Sequence, residues 1–110
     1  MIYELREYDI APGKMAANDK RFEEVDIVGL FEKHGMKVIA FWHTVIGENA
    51  GHRLTYILAY ENLAHREATW ASFGKDPTWP NKKRETDPEG NMITYIKSTI
   101  MAPTRYSPLK

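Results

Sequence analysis

MKVIAFWHTVI at residues 36–46 and LTYILAYE at residues 54–61 are the two stretches that decide the fold. Successive side chains of a β-strand point to opposite faces, so residues two positions apart share a face. In the first stretch one face carries Val38, Ala40, Trp42 and Ile46, and the other carries Ile39, Phe41 and Val45. In the second, one face carries Leu54, Tyr56, Leu58 and Tyr60, and the other carries Ile57 and Ala59. Because both faces are apolar, both need to be covered.

Working outward, the pattern predicts two more strands and two helices, separated by turn residues such as Pro12-Gly13 and Gly74. Apolar residues at three- and four-residue steps favour the helices, and Asn62 is a suitable N-cap for the second. The predicted elements are a strand at 2–10, a helix at 14–33, strands at 36–46 and 54–61, a helix at 62–73, a polar loop at 81–91 and a strand at 92–101.

This order predicts an α+β fold, a single ferredoxin-like βαββαβ sandwich over residues 1–110, with a four-stranded antiparallel sheet and two helices on one face. The helices leave the other face of the sheet uncovered. Burying an apolar side chain contributes roughly 1.5–3 kcal/mol, and monomers rarely expose a large apolar patch. We therefore expect a homodimer in which two copies pack sheet against sheet.

Composition excludes several function classes. Lys+Arg and Asp+Glu both number 15, so no net charge favours nucleic acid or an anionic membrane. The chain has no cysteine, which rules out disulfides and thiolate chemistry. The longest apolar run, Val38 to Trp42, is far too short to cross a bilayer, and no secretory leader is visible. We expect a cytoplasmic protein that binds neither nucleic acid nor membrane.

Several segments together resemble the NIPSNAP family across nearly the whole chain. They are residues 2–14 (IYELREYDIAPGK), 35–42 (GMKVIAFW), 60–66 (YENLAHR), 76–79 (DPTW) and 103–109 (PTRYSPL). The resemblance implies a dimeric α/β barrel, the fold shared with antibiotic-biosynthesis monooxygenases and haem-degrading relatives. The chain departs from the family after Trp79, where Pro80 and the turn at 87–90 interrupt a longer helix, so the resemblance does not extend to a pocket lined by that segment. The family has no single established chemistry, so the resemblance predicts fold rather than reaction.

Three residues are candidates for catalysis, each with a structural alternative. Arg6 shares a strand face with Tyr8 and could bind a carboxylate or phenolate; alternatively, its stem packs while its head reaches water. His43 could be a base or haem ligand, or a half-buried polar residue. The resemblance to haem-binding relatives suggests that His65 and Trp70 could form a pocket; the alternative is an exposed helix histidine.

The predicted pocket residues are Tyr3, Arg6, Trp42, Tyr60, Arg66 and Trp70. We expect Arg66 to form an ion pair with Glu61 or Asp76, and His34 and His52 to be solvated. No histidine spacing suits a metal, and no glycine-rich loop suits a phosphate, so neither a metal site nor a bound cofactor is predicted.

The function that these features favour is a homodimer that binds a small apolar or aromatic molecule. Two alternatives stay open: a cofactor-independent monooxygenase or haem-binding enzyme of the same fold, and a non-enzymatic interaction module that displays the 81–91 loop and the proline-containing tail. The sequence does not decide whether the protein is an enzyme.

Overall fold

The computed structural model describes residues 1–110 and contains four strands and four helices. The strands are β1 (Ile2–Ile10), β2 (Lys37–His43), β3 (Arg53–Tyr60) and β4 (Ile93–Met101), and the helices are α1 (Met15–Glu23), α2 (Ile27–Lys33), α3 (Leu63–Gly74) and α4 (Trp79–Thr86). The sheet is antiparallel in the order β2-β3-β1-β4. This confirms the predicted α+β ferredoxin-like fold. None of the helices has the length and apolar character to cross a membrane.

The predicted helix at 14–33 is in fact two helices, because the chain turns at Asp26. This residue adopts a left-handed conformation with a φ of 58°, which aspartate tolerates better than most residues. Its carboxylate then accepts a hydrogen bond from the Gly29 backbone N–H at 3.0 Å and caps α2. A strong local cap therefore overrides the continuous helical pattern.

The prediction of a loop over 81–91 is wrong for residues 81–86, which belong to α4. Pro80 lies in the first turn of this helix, where the missing backbone N–H of proline would have had no helical partner. The true loop begins at Asp87, whose carboxylate accepts the backbone N–H groups of Asn91 at 3.0 Å and Met92 at 3.2 Å.

Strand β2 differs from its predicted form in length and in alternation. It ends at His43, so Val45 and Ile46 lie in the following loop, 87% and 93% exposed. The register with β3 shifts between Val38 and Ala40, which is typical of a β-bulge. As a result Val38 and Phe41 both pack against the helix-side core, and the predicted alternation of faces fails in this strand.

The main core lies between the sheet and the helices. It includes Tyr8, Tyr56, Leu58, Tyr60, Ile27, Leu30, Phe31 and Phe73. The opposite side, which we call the open face, carries Leu5, Ala40, Trp42 and Ile57, together with Tyr3 and Ala59, which are buried; the Tyr3 hydroxyl donates to the Lys110 carbonyl of the C-terminal segment at 3.0 Å. Leu5 and Ile57 are half-buried there, and Trp42 is 48% exposed. The sheet therefore has apolar residues on both sides, and a second copy over the open face stays a prediction.

Candidate functional site

A cavity of about 650 Å³ lies between the sheet and the helices. Ten of its 16 lining residues are hydrophobic, and its walls include aromatic rings from all four helices. These rings are Phe22, Phe31, Trp70, Phe73 and Trp79. They pack on one another: the centroid of Phe31 is 5.8 Å from that of Trp70, and the centroid of Phe73 is 5.2 Å from that of Trp79. The walls are therefore held in place by contacts within the protein.

Arg6 of β1 lies at the sheet side of this cavity, and protein contacts fix its guanidinium. Its Nε donates to the Tyr56 hydroxyl at 2.7 Å and its Nη2 to the Tyr8 hydroxyl at 2.8 Å. Its Nη1 is 3.1 Å from the Glu4 carboxylate. The guanidinium also lies 4.8 Å from the ring centroid of Trp70, a cation–π distance. Arg6 thus presents an oriented donor group that has Glu4 as its ion-pair partner.

Glu4 is a fully buried carboxylate that links β1 to three other elements. It accepts hydrogen bonds from Tyr60 at 2.8 Å, from Arg66 at 3.0 and 3.1 Å, and from Ser98. Burial alone would raise the pKa of Glu4, but the hydrogen bonds from these groups and the charge of Arg6 lower it to about 2. The carboxylate is therefore ionised, and it holds β3, β4 and α3 around the Arg6 end of the cavity.

Arg21 of α1 is a second arginine in the cavity wall, and it is only 4% exposed. Its Nε donates to the Thr86 Oγ1 at 2.9 Å and its Nη2 to the Lys83 carbonyl at 3.2 Å, both in α4. The guanidinium also lies 5.4 Å from the ring centroid of Trp79. No carboxylate lies within 4.0 Å of it, so the charge of Arg21 has no ion-pair partner in the protein.

The structure places the three catalytic candidates in three separate locations. Arg6 lines the main cavity, whereas His43 lies in a smaller cavity of about 310 Å³, where its Nε2 is 2.8 Å from the Asp19 carboxylate. His65 lies in the first turn of α3, and its Nδ1 accepts the Glu61 backbone N–H at 3.0 Å. His65 does not line the main cavity, so it does not form a pocket with Trp70.

The six residues predicted to line a pocket also lie in different parts of the structure. Arg6 and Trp70 line the main cavity, and Trp42 lines the smaller one. Tyr60 lies behind the main cavity wall, where its hydroxyl donates to Glu4 and accepts from the Trp70 Nε1 at 2.8 Å. Tyr3 lies on the open face.

Arg66, the last pocket candidate, lies outside the cavity lining. The prediction that Arg66 pairs with Glu61 or Asp76 is wrong. It pairs with Glu4 and, at 3.0 Å, with Glu67. It therefore supports the site through the buried carboxylate of Glu4.

His34 was expected to be solvated, and that prediction is wrong. Its Nε2 is 2.6 Å from the Asp76 carboxylate and its Nδ1 is 2.6 Å from the Ser72 Oγ. Hydrogen bonds from the Thr78 hydroxyl and from His34 lower the pKa of Asp76. None of these residues lines the main cavity, so we interpret the cluster as a tie between α2, α3 and the start of α4. His52 is exposed, as predicted.

Arg21, Trp79 and Glu4 were missed at the level of sequence. Glu4 shares a strand face with Ile2, Arg6 and Tyr8, and a carboxylate at such a position could have indicated a buried ionic network. Arg21 and Trp79 belong to different helices, and their meeting depends on the packing of α1 against α4.

Comparison with known proteins agrees with this fold. The NIPSNAP family model matches residues 3–108. The chain belongs to the NIPSNAP family. Protein NipSnap homolog 2 of Danio rerio is 28% identical over 109 residues, which cover 99% of this chain and 35% of that protein. This NIPSNAP domain therefore spans about a third of the length of that curated relative.

Solved structures extend the comparison. A NIPSNAP family protein of Agrobacterium tumefaciens, Atu4242, is 26% identical, with a TM-score of 0.86 over 100% of this chain and 94% of that one. An antibiotic biosynthesis monooxygenase is 10% identical, with a TM-score of 0.57 over 94% of this chain and 99% of that one. The second likeness shows a shared fold alone.

Proposed function

We propose that this NIPSNAP domain binds a small, mostly aromatic or apolar molecule in the cavity between its sheet and helices. The observation that carries the proposal is a cavity of about 650 Å³ with aromatic walls and the Arg6 guanidinium at its sheet side. Small-molecule sites usually have volumes of about 300–1,000 Å³, apolar walls and a few oriented polar groups. The cavity has each of these properties.

The arrangement of the walls supports binding without a large rearrangement. The rings of Phe31, Trp70 and Phe73 contact one another, and Arg6 is held by three side chains. A site whose groups are already oriented loses little conformational entropy when a ligand enters. A planar aromatic ligand would contact the indole and phenyl rings. Hydrogen bonds from the Arg6 guanidinium and the tyrosine hydroxyls would orient it.

Titration with N-phenyl-1-naphthylamine, a neutral aromatic probe whose fluorescence rises in apolar surroundings, tests the proposal. Two residues of β4 provide a matched pair of variants. Ile96 lines the cavity and is 47% exposed; Ile100 lies on the same side of the same strand, is 41% exposed and lies outside the cavity. Ile96→Trp places an indole at the cavity wall, so we expect at least about a tenfold loss of probe affinity, equal to about 1.4 kcal/mol.

Ile100→Trp adds the same side chain away from the cavity, and the probe should bind it as it binds the unmodified protein. Equal losses in both variants would place the probe elsewhere on the surface. No saturable fluorescence change with the unmodified protein would contradict the proposed cavity function.

We also propose that a second copy of the chain covers the open face. Leu5 and Ile57 lie half-buried beside the exposed ring of Trp42, which makes this part of the face apolar. The other end of the same face carries the Arg53 guanidinium 2.9 Å from Asp9. A two-fold arrangement could bury the apolar part against its own copy and leave the ion-paired end at the rim.

A further inference from the structure

The charge of Arg21 suggests what kind of molecule the cavity receives. Resting on the proposed function, we propose that the ligand is an aromatic or apolar anion whose charged group, a carboxylate or sulfonate, binds the Arg21 guanidinium. The apolar body of the ligand would lie between the aromatic walls. Arg21 would then be the residue that determines specificity for an anion.

The first support comes from a contrast among the buried charged residues, which are Glu4, Arg21 and Asp76. Glu4 has arginine partners at 3.0 and 3.1 Å, and Asp76 has His34 at 2.6 Å and Lys33 at 3.4 Å. Arg21 has no oppositely charged partner within 4.0 Å. Buried charges in proteins are usually paired, so an unpaired one that lines a cavity is a position for a charged ligand.

The second support is that the protein uses only some of the N–H donors of Arg21. An arginine carries five N–H groups, and the Nε and Nη2 of Arg21 already bind α4. Those bonds hold the guanidinium at the C-terminal end of α4, whose carbonyls provide only about half a negative charge. Nη1 donates to no protein group, and Arg21 lines the cavity, so we assign Nη1 as the donor to a ligand oxygen there.

The charges around the cavity also favour an anion. Its charged lining residues are Arg6, Arg21, Lys83 and Asp87. Arg6 has an ion-pair partner in Glu4 at 3.1 Å, a carboxylate that Arg6 shares with Arg66, and the carboxylate of Asp87 accepts backbone N–H groups of its own loop. Burial lowers the pKa of Arg21, although the charge of Asp87 opposes this effect. The guanidinium that still lacks a partner is therefore that of Arg21, with the Lys83 ammonium on the same α4 side.

The test compares two probes that share one scaffold: 8-anilinonaphthalene-1-sulfonate, which is an anion, and N-phenyl-1-naphthylamine, which is neutral. Arg21→Met removes the charge and keeps a long apolar side chain. Lys20→Met removes the same charge from the exposed neighbouring position of α1 and serves as the control. Dissociation constants for both probes are measured by fluorescence titration of each protein.

We expect Arg21→Met to weaken sulfonate binding by about ten- to a hundredfold, the loss typical of a charge-assisted hydrogen bond, and to change neutral-probe binding less than about twofold. Lys20→Met should leave both constants unchanged. If Arg21→Met leaves sulfonate binding intact, or weakens both probes equally, the assignment of the anion to Arg21 is wrong while the cavity function stands. If the neutral probe does not bind the unmodified protein, the cavity function itself is wrong.

A second measurement keeps the test independent of whether Arg21→Met folds. The Arg21 Nε–H group is hydrogen-bonded and buried, so it should give a resolvable side-chain signal in ¹⁵N NMR of the unmodified protein. Its assignment follows from its disappearance in Arg21→Lys. Titration with the sulfonate should shift this signal with the same dissociation constant as the fluorescence change. A signal that stays in place at saturation would overturn the proposal.

Discussion

Replacing Glu4 with glutamine removes the charge on which side chains of β1, β3, β4 and α3 converge. Glu4 accepts hydrogen bonds from Tyr60, Arg66 and Ser98, and Arg6 lies 3.1 Å away. Glutamine has almost the same shape, but its amide nitrogen is a donor and would face donors. We therefore expect Glu4→Gln to fold to the same topology with a much lower free energy of unfolding.

The magnitude follows from the pKa of Glu4, which folding lowers from 4.5 to about 2. This lowering corresponds to about 3 kcal/mol of stability at neutral pH. Because the folded-state pKa is the lower one, the unfolded chain binds the proton more readily, and the stabilisation is present above pH 4.5 and is lost as the pH falls towards 2. By pH 3, about 2 kcal/mol of it should be gone.

Urea unfolding followed by tryptophan fluorescence measures this effect. At pH 7, Glu4→Gln should lower the midpoint by about 1–3 M, given a slope of about 1–3 kcal/mol per molar urea. The difference between the two proteins should shrink to about 1 kcal/mol at pH 3. Glu67→Gln is the control, since Glu67 also binds Arg66 at 3.0 Å but its side chain is 74% exposed. An exposed pair contributes about 0–1 kcal/mol.

A difference between wild-type and Glu4→Gln protein that stays constant from pH 7 to pH 3 would refute the reasoning, because the cost would then come from packing rather than from charge. A loss as small as that of Glu67→Gln at pH 7 would refute it as well. That outcome would show that the buried carboxylate is no better stabilised than a surface one.

Two further predictions concern the open face and the turn after α2. In sedimentation equilibrium at micromolar concentration we expect the wild-type protein to be a dimer. Ile57→Arg on the open face should convert it to a monomer, whereas Ile100→Arg on the helix side should leave it dimeric. A folded wild-type monomer would contradict the proposed assembly. Gly35 has a φ of 90°, and a Cβ there would lie 3.3 Å from the Thr69 Cγ2, so Gly35→Ala should cost about 1–3 kcal/mol in urea unfolding. Gly74→Ala, with open space around it and no positive φ, should cost nothing, and equal effects would rule out the conformational argument.

The sheet could be predicted from sequence because it depends on a local pattern. Short apolar runs bounded by turn residues marked the strands, and the order of strands and helices along the chain then predicted how the strands pair, although only β2 and β3 are joined by a short loop. The limits of β2 were wrong because Val45 and Ile46 continue the apolar pattern beyond His43 without entering the ladder. The bulge between Val38 and Ala40 has no signature in the amino-acid types, and it changes which side chains reach the core.

The site was harder to predict because its contacts join distant parts of the chain. The hydrogen-bond partners of Glu4 lie 56, 62 and 94 residues away in sequence. Arg6 and Trp70 could be proposed because each lies on a recognisable face of one strand or helix. The partners of Arg21 lie 62 and 65 residues along the chain, in a segment that the sequence assigned to a loop. Without α4, the burial of Arg21 could not be expected.

The errors in the helix prediction and the origin of the cavity share one physical cause. The helical residues between β1 and β2 are divided at Asp26, and those between β3 and β4 are divided before Trp79. The divisions let α1 and α4 contact each other, which brings Arg21 to the end of α4. They also place ring-bearing segments of all four helices around one space. The residues that interrupt the helices therefore shape the cavity. Arg21, which the contact of α1 with α4 buries, has a charge that a ligand can balance.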